Sequence, residues 1–426
     1  MALERIKTTI QNERAKPAMP TGGIHATPGR ALAPAAVGHP TQHTMVIHPG
    51  QPEGVALGKT AKSVDQNPPI SINSIAQSPI WAVANAARQA RRTQRMNLQR
   101  AAAKLLPGSR VANCLWAVAS NANGVDVIHN AQEARSRFAG LQTCGSPWPC
   151  PCCSGTISDR RRVELNDLLA WARSRGFVPV LLTLTARHSK TDDLRTLLDR
   201  LKKAKQRLAQ RREWRALDLV GSVTATEVTG GGLHGWHPHF HVLLVVRAGS
   251  ELEAVTGVEA LKDAWLACLK GCELSGTGAA FDVRGAADAG NYVAKWGAAE
   301  ELALGERKKG RLGRTPFQLL QDYAEGGDAN AGALFTEFAK VFKGRRQLVW
   351  SRGLKALAGI EEKSDERIAE EDAKRAEEAE SETLMGSFDR LEWRGLREHR
   401  AQLLQAAEHG PGGFARYVKR LQEDTT

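Results

Sequence analysis

His237-Pro238-His239-Phe240-His241-Val242-Leu243-Leu244 is the stretch on which the reading of this 426-residue chain turns. In a strand, successive side chains point to opposite faces, so His239 and His241 share one face while Phe240 and Val242 take the other. Two imidazoles at that spacing can grip one ion. Pro238 cannot donate to a sheet, so the strand is expected over 239–246, with His237 extending the row at its start. Just upstream, Gly230-Gly231-Gly232 reads as a loop and 219–229 as the partner strand, which carries Glu227 toward the same imidazoles. Two imidazoles, one carboxylate and open positions for water or a phosphate oxygen suit a catalytic divalent ion such as Mn²⁺ or Mg²⁺. A lone histidine more often packs quietly in a sheet; an alternating pair opposite a strand glutamate favours the metal.

Around this hairpin the periodicity predicts a buried strand at 178–185 and a helix over 191–212, with Leu194, Leu197, Leu198, Leu201 and Leu208 on one side. A helix at 252–269 and a short strand at 280–283 follow. The order β-α-β-β-α-β is the split-βαβ (ferredoxin/RRM-like) arrangement, so the fold class is α+β: an antiparallel sheet with helices on one face. Before it, a helix is expected at 158–175, capped by Ser158, with Val163, Leu165, Leu168, Leu169 and Trp171 apolar. After it, a helix over 287–299 carries Asp288-Ala289-Gly290-Asn291-Tyr292-Val293-Ala294-Lys295-Trp296. Spacings of four and three put Asp288, Tyr292 and Lys295 on one helical face. A phenol is a weak nucleophile until a cation stabilises the charge of attack; Lys295 suits that role, and Asp288 could orient or deprotonate an attacking hydroxyl. The chain has only three tyrosines, at 292, 323 and 417, so the choice of nucleophile is narrow.

The net charge of +13 asks for an anionic partner, and the surplus is clustered. Residues 187–215 hold eleven Lys/Arg against four Asp/Glu, and 81–110 hold seven basic residues and no acid. Blocks of this kind release counterions from a phosphate backbone, which makes nucleic acid the default partner. No apolar run approaches the roughly 20 residues of a membrane span, and no secretion signal is read, so a cytoplasmic protein is expected. Seven cysteines in a reducing compartment speak for metal or packing rather than disulfides. Cys144, Cys150 and Cys153 are spaced like a zinc knuckle, and Cys114 is the best fourth ligand, which implies a structural Zn²⁺; Cys268 and Cys272 read as packing residues.

Thr183-Leu184-Thr185, then His-Pro-His-Phe-His-Val-Leu-Leu, then Tyr292-Val293-Ala294-Lys295-Trp296 resemble, in order and spacing, the three motifs of plasmid rolling-circle replication initiators. These are the Rep branch of the His-hydrophobic-His (HUH) endonucleases. The resemblance covers about 114–357 and includes a Cys-x5-Cys-Pro-x-Cys element like 144–153, with Cys152 as an extra thiol. It implies that His239 and His241 bind the metal, that Tyr292 attacks a phosphodiester of the origin, and that a carboxylate at position 288 activates water late in the cycle. Only some members have a carboxylate at that position, carried by others as Glu; Asp288 is shorter. The partners implied are single-stranded or hairpin origin DNA, a host helicase and a polymerase, since the chain shows no Walker motif of its own.

The expected organisation is a disordered segment at 1–79, a basic helix plus zinc-ribbon-like element at 80–157, a nickase domain at 158–360 and a charged helical tail at 361–426. Lys202, Lys203, Arg207 and Arg211, with Arg307, Lys308, Lys309 and Arg311, are expected to hold the DNA. Three competing readings remain: a conjugative relaxase or tyrosine transposase, a non-enzymatic zinc-ribbon regulator, and an HxH hydrolase of small molecules, which the basic blocks disfavour.

Overall fold

The computed structural model describes residues 79–232, 234–295, 313–374 and 381–423. The disorder expected of 1–79 and the DNA contacts expected of Arg307, Lys308, Lys309 and Arg311 lie outside the described residues. The sheet that positions the site has five strands: β3 (Val178–Leu184), β4 (Leu219–Gly232), β5 (Gly235–Val246), β6 (Phe281–Arg284) and β7 (Leu348–Trp350), in the order β6-β3-β5-β4-β7. All its pairings are antiparallel. The expected β-α-β-β-α-β run is present, with β7 added at the β4 edge. β4 and β5 form a longer hairpin than expected, pairing out to Gly232 and Gly235. Pro238 therefore lies inside β5, not ahead of it. It is tolerated because β3 ends at Leu184 opposite Phe240, which leaves β5 with one neighbour at that point.

Strand alternation sorts the sheet into two faces. Val180, Leu182, Leu184, Phe240, Val242, Leu244 and Val246 pack against Leu194, Leu198, Leu201 and Leu208 of α3 (Leu194–Leu208). On the other face, Leu181, Val223, Ala225, Leu243 and Val245 meet Leu165, Leu168 and Leu169 of α2 (Pro151–Ser174), with Ala289 and Val293 of a helix at Ala286–Lys295. The expectation of helices on one face is thus corrected: both faces of the sheet are apolar, and each needs its own cover. The single helix expected at 252–269 is two, α4 (Glu251–Glu259) and α5 (Lys262–Lys270). The helix carrying Ala289, called α6, follows, and α7 (Pro316–Gly326) and α8 (Ala329–Phe342) complete the first core.

α2 starts at Pro151, seven residues before Ser158, with proline in its first turn where no N–H is needed. Ser158 is buried inside it and accepts a hydrogen bond from Gln347. Val163, expected on the apolar face, is exposed. The boundary expected at 157/158 falls inside this one helix, and Cys114, Cys144, Cys150 and Cys153 belong to the same core as the sheet.

The other sheet joins distant parts of the chain. β1 (Gly124–Asn130) is flanked by β2 (Arg135–Ala139) and β8 (Glu382–Asp389). Residues past 361, expected as a charged helical tail, supply that strand and helices α10 (Arg390–Leu396), α11 (Arg400–Glu408) and α12 (Pro411–Glu423), after α9 (Asp365–Lys374). Trp393, Leu403, Leu404 and Phe414 pack with Val125, Val127 and Phe138. The buried guanidinium of Arg400 donates to the Met96 carbonyl and Gln99 of α1 (Pro79–Leu105). Part of the basic stretch of α1 turns inward too, while Arg91 and Lys104 stay exposed. Arg92 pairs with Glu408, Arg88 donates to Glu133 and Ala134 carbonyls, and Arg100 lies 3.6 Å over Trp116. No helix among the described residues is long and apolar enough to cross a membrane.

Candidate active site

Glu227 and His239 are direct cross-strand partners in the β4–β5 ladder, and His241 stands opposite Thr183 on β3. All lie on the α2/α6 face, because odd positions of β3, β4 and β5 point there. The Nε2 atoms of His239 and His241 lie 3.3 and 3.5 Å from Glu227 Oε2. Their Nδ1 atoms are engaged behind: His241 with Thr183 Oγ1 at 3.0 Å and His239 with the His237 carbonyl at 3.4 Å. That arrangement leaves both Nε2 atoms for an ion, which is how metal-binding imidazoles are usually oriented.

α6 carries the phenol. Ala289 and Val293 are fully buried against the sheet, and Tyr292 beside them turns its ring to 4.6 Å from that of His241. Its hydroxyl donates to Glu227 Oε1 at 3.0 Å. The carboxylate thus has one oxygen toward the imidazoles and one toward the phenol. Burial alone would raise the Glu227 carboxyl, but hydrogen bonds from His239 and His241 and their charge hold it well below the usual carboxylate range. Tyr292 moves the other way: burial, the Glu227 charge and the bond it donates push the phenol well above its ordinary value. The pair rests as carboxylate and neutral phenol.

Asp288 and Lys295 differ from Tyr292 in burial. Both are exposed on the flank of α6, and Asp288 lends its charge to Arg284, which pairs with Asp282. Helical spacing put the three residues on one side, but a helix resting on a sheet turns only its inward stripe, here Ala289, Tyr292 and Val293, to the strands. The other two tyrosines sit elsewhere: Tyr323 packs on the first core and Tyr417 on the second. Sequence reasoning quoted Thr183 but gave it no role, and it missed His188, whose Nδ1 lies 3.2 Å from that of His237. Only the loop folding back after β3 brings His188 there, which no local spacing reports.

The donor set fits a divalent ion. Its three ligand atoms lie within 4.8 Å of one another, and oxygen or nitrogen ligands around an octahedral ion stand about 3 Å apart, close to the separations seen. The four sulfurs of Cys114, Cys144, Cys150 and Cys153 also lie within 4.8 Å of one another and are buried. The Cys114–Cys153 and Cys144–Cys153 separations are 3.5 and 3.6 Å, near the roughly 3.8 Å of thiolates around a tetrahedral zinc. Bonds from Cys114, Cys150 and Cys153 hold Cys144 far below the usual thiol range, while burial pushes Cys150 up. Cys152 turns away, toward the Arg95 carbonyl, and Cys268 and Cys272 are buried in the core.

Lys202, Lys203, Arg207 and Arg211 are not beside the phenol. α3 packs on the opposite face of the sheet, because its leucines cover the even positions of β3 and β5.

The model of a family described as "Replication protein" matches residues 135–400, which include every residue of the Glu227, His239, His241 and Tyr292 cluster. The chain is 29% identical to "Protein rep" of Streptomyces lividans over 56% of its own length and 68% of that protein. It is 31% identical to a "Neomycin resistance protein" of Streptomyces cyanogenus over 26% of its own length and 32% of that protein. No solved structure matches significantly. With the family model spanning well over half of the chain, the protein belongs to the replication protein family, as a replication initiator of the Rep type.

Proposed function

We propose that this initiator is a metal-dependent DNA nickase of the HUH class that starts rolling-circle replication of a plasmid. The observation that carries the reading is the contact of the Tyr292 hydroxyl with Glu227, whose other oxygen faces His239 and His241. The strand order β6-β3-β5-β4 around that cluster suits the ferredoxin-like core expected of the class. Mn²⁺ or Mg²⁺ held by Glu227, His239 and His241 would supply a Lewis acid for the scissile phosphate.

The chain's own residues do the rest. Tyr292 Oη attacks phosphorus as the bond to the 3′ oxygen breaks; the phenolic proton has an acceptor at Glu227 Oε1, and the departing oxygen takes up a proton to become a 3′ hydroxyl. A 5′-phosphotyrosine keeps the bond energy, so a later hydroxyl can reverse the step and close the strand. Glu227, not Asp288, stands where the phenol's proton leaves. Asp288 and Lys295 on the exposed flank are left to contact DNA or water outside the inner cluster. Cys114, Cys144, Cys150 and Cys153 would hold a structural Zn²⁺ that ties the segment before α2 to the sheet. In the cytoplasm a host helicase and polymerase would open and extend the nicked origin.

A labelled single-stranded origin oligonucleotide incubated with Mn²⁺ or Mg²⁺ tests the reading by denaturing electrophoresis. A protein-linked product that disappears in Tyr292→Phe and with chelator is expected. Sequence-specific binding with no cleavage under any metal would leave a regulator instead.

A further inference from the structure

The basic row of α3 and the turn after it has no place in the nicking site, and we infer that it is a second nucleic-acid surface, one that grips the backbone of duplex DNA on the far side of the sheet. Lys202, Lys203, Arg207 and Arg211 are all exposed. Acids in the neighbourhood are already taken: Asp199 pairs with Arg345, Glu273 with Arg200 and Glu213 with Arg212. Arg207 reaches the Gly271 carbonyl, a contact that leaves its charge uncompensated, whereas Arg211 shares the Glu213 charge with Arg212. Uncompensated surface cations in a row are the feature that exchanges condensed counterions for phosphates.

Geometry separates this row from the phenol. Its helix buries Leu194, Leu198, Leu201 and Leu208 against the even positions of β3 and β5, whereas Tyr292 stands over the odd ones. Between them lie the sheet and the thickness of a helix, about 10–12 Å for the helix alone. A single strand seated at Glu227 and the histidines cannot also lie along α3 without turning round the sheet edge. The row therefore serves another segment of DNA.

Duplex is the form it fits. Lys202, Lys203 and Arg207 occupy about 8 Å of α3 at 1.5 Å per residue, within the roughly 12 Å width of a major groove, and Arg211 follows in the turn after Leu208, so the row can track the phosphates along one wall. Single-stranded DNA or RNA is typically held by exposed rings on which bases stack. Trp214, the aromatic nearest this row in sequence, packs on the core instead. Backbone contact without base contact gives affinity and little sequence choice, which suits holding the plasmid while the other face selects and cuts the strand.

The inference rests on the nickase reading only for its division of labour, so its test is run on binding first. Full-length Tyr292→Phe protein is titrated with random-sequence duplex over a range of salt, with and without Lys202→Ala/Lys203→Ala/Arg207→Ala/Arg211→Ala. The fourfold change should weaken binding at least tenfold and lower the slope of log K against log salt by about 3–4, about 0.9 per lost phosphate contact. In the Tyr292 background, cleavage of a single-stranded oligonucleotide should stay within about twofold of the parent. Should the fourfold variant misfold, Lys202→Gln/Lys203→Gln, two exposed positions, should lower the slope by about 2. An unchanged slope, a preference of this face for single-stranded DNA or RNA, or cleavage falling in step with duplex binding would each overturn the proposal. A parent protein that binds duplex through this row yet never cleaves would sink the nickase reading and leave the surface standing.

Discussion

Thr183 shows how one hydroxyl behind an imidazole sets which way that imidazole points. Its Oγ1 holds His241 Nδ1 at 3.0 Å and so keeps Nε2 turned toward Glu227. Thr183→Val removes the bond but not the volume, and outer partners of this kind are worth about 10–100-fold in metal affinity. The expected result is a rise of that order in the Mn²⁺ concentration for half-maximal cleavage, with the rate at saturating Mn²⁺ largely kept. An unchanged metal requirement would mean that Thr183 is only packing. The Tyr292–Glu227 contact was half legible. The alternation of His239 and His241 and the tyrosine motif name the residues, yet the spacing offers Lys295 and Asp288 as neighbours of the phenol, because helical spacing cannot say which side of a helix a sheet will claim.

At the scale of elements, the β4–β5 hairpin fixes the site by a close approach of backbone to ring. A Cβ on Gly230 would stand 2.3 Å from the Trp236 ring, and Gly230 also pairs with Arg314 through both backbone hydrogen bonds. Arg314 is in turn tied to Asp322 and Asp328. Gly230→Ala must displace Trp236, whose indole donates to Glu337, and overpacking of this kind costs about 1–3 kcal/mol. Thermal unfolding should report a lower melting temperature and cleavage should fall with it; a variant as stable as the parent would contradict the contact. The glycine run was legible as a break, but not as part of the strand. What it lacked was knowledge of Trp236, which folds back over it from six residues on. Strand and helix identities near the hairpin were readable because their apolar periods are strong. The start of α2 was not, since Pro151 and the cysteines carry no such period and are ordered by the core they share.

Across the whole molecule, the ends of the described chain are bound together by groups that titrate. Glu408 accepts from Arg92 at 2.6 Å and from Gln89 at 2.8 Å, joining α11 to α1. Burial would raise its carboxyl, but Arg92, Gln89 and the Ser136 N–H hold it below the ordinary 4.5. A carboxyl lowered on folding stabilises above its unfolded value, and that gain is lost as pH falls through the folded value. Stability should therefore decline as pH drops below about 4.5. Glu408→Gln should be destabilised at neutral pH by about 3 kcal/mol, since it strands a largely buried Arg92, with the gap closing at acid pH. A constant gap in denaturant titrations from neutral to acid pH would contradict the assignment. The Zn²⁺ proposed for the four cysteines would act at the same scale. Because the four cysteines lie in the core that carries the sheet, Cys150→Ser or a strong chelator should lower zinc content, melting temperature and cleavage together. Loss of zinc with full stability would make the site peripheral. The pairing of β8 with β1 was the least legible feature: its partners are more than 250 residues apart, and acidic residues before β8 made the region read as a tail.

All of this depends on one oxygen. Mass-spectrometric mapping of the peptide that carries DNA after cleavage of a single-stranded origin oligonucleotide tests it most directly. The geometry predicts a nucleotide adduct on Tyr292. An adduct on Tyr323 or Tyr417, or strand cleavage with no adduct on any residue, would contradict it.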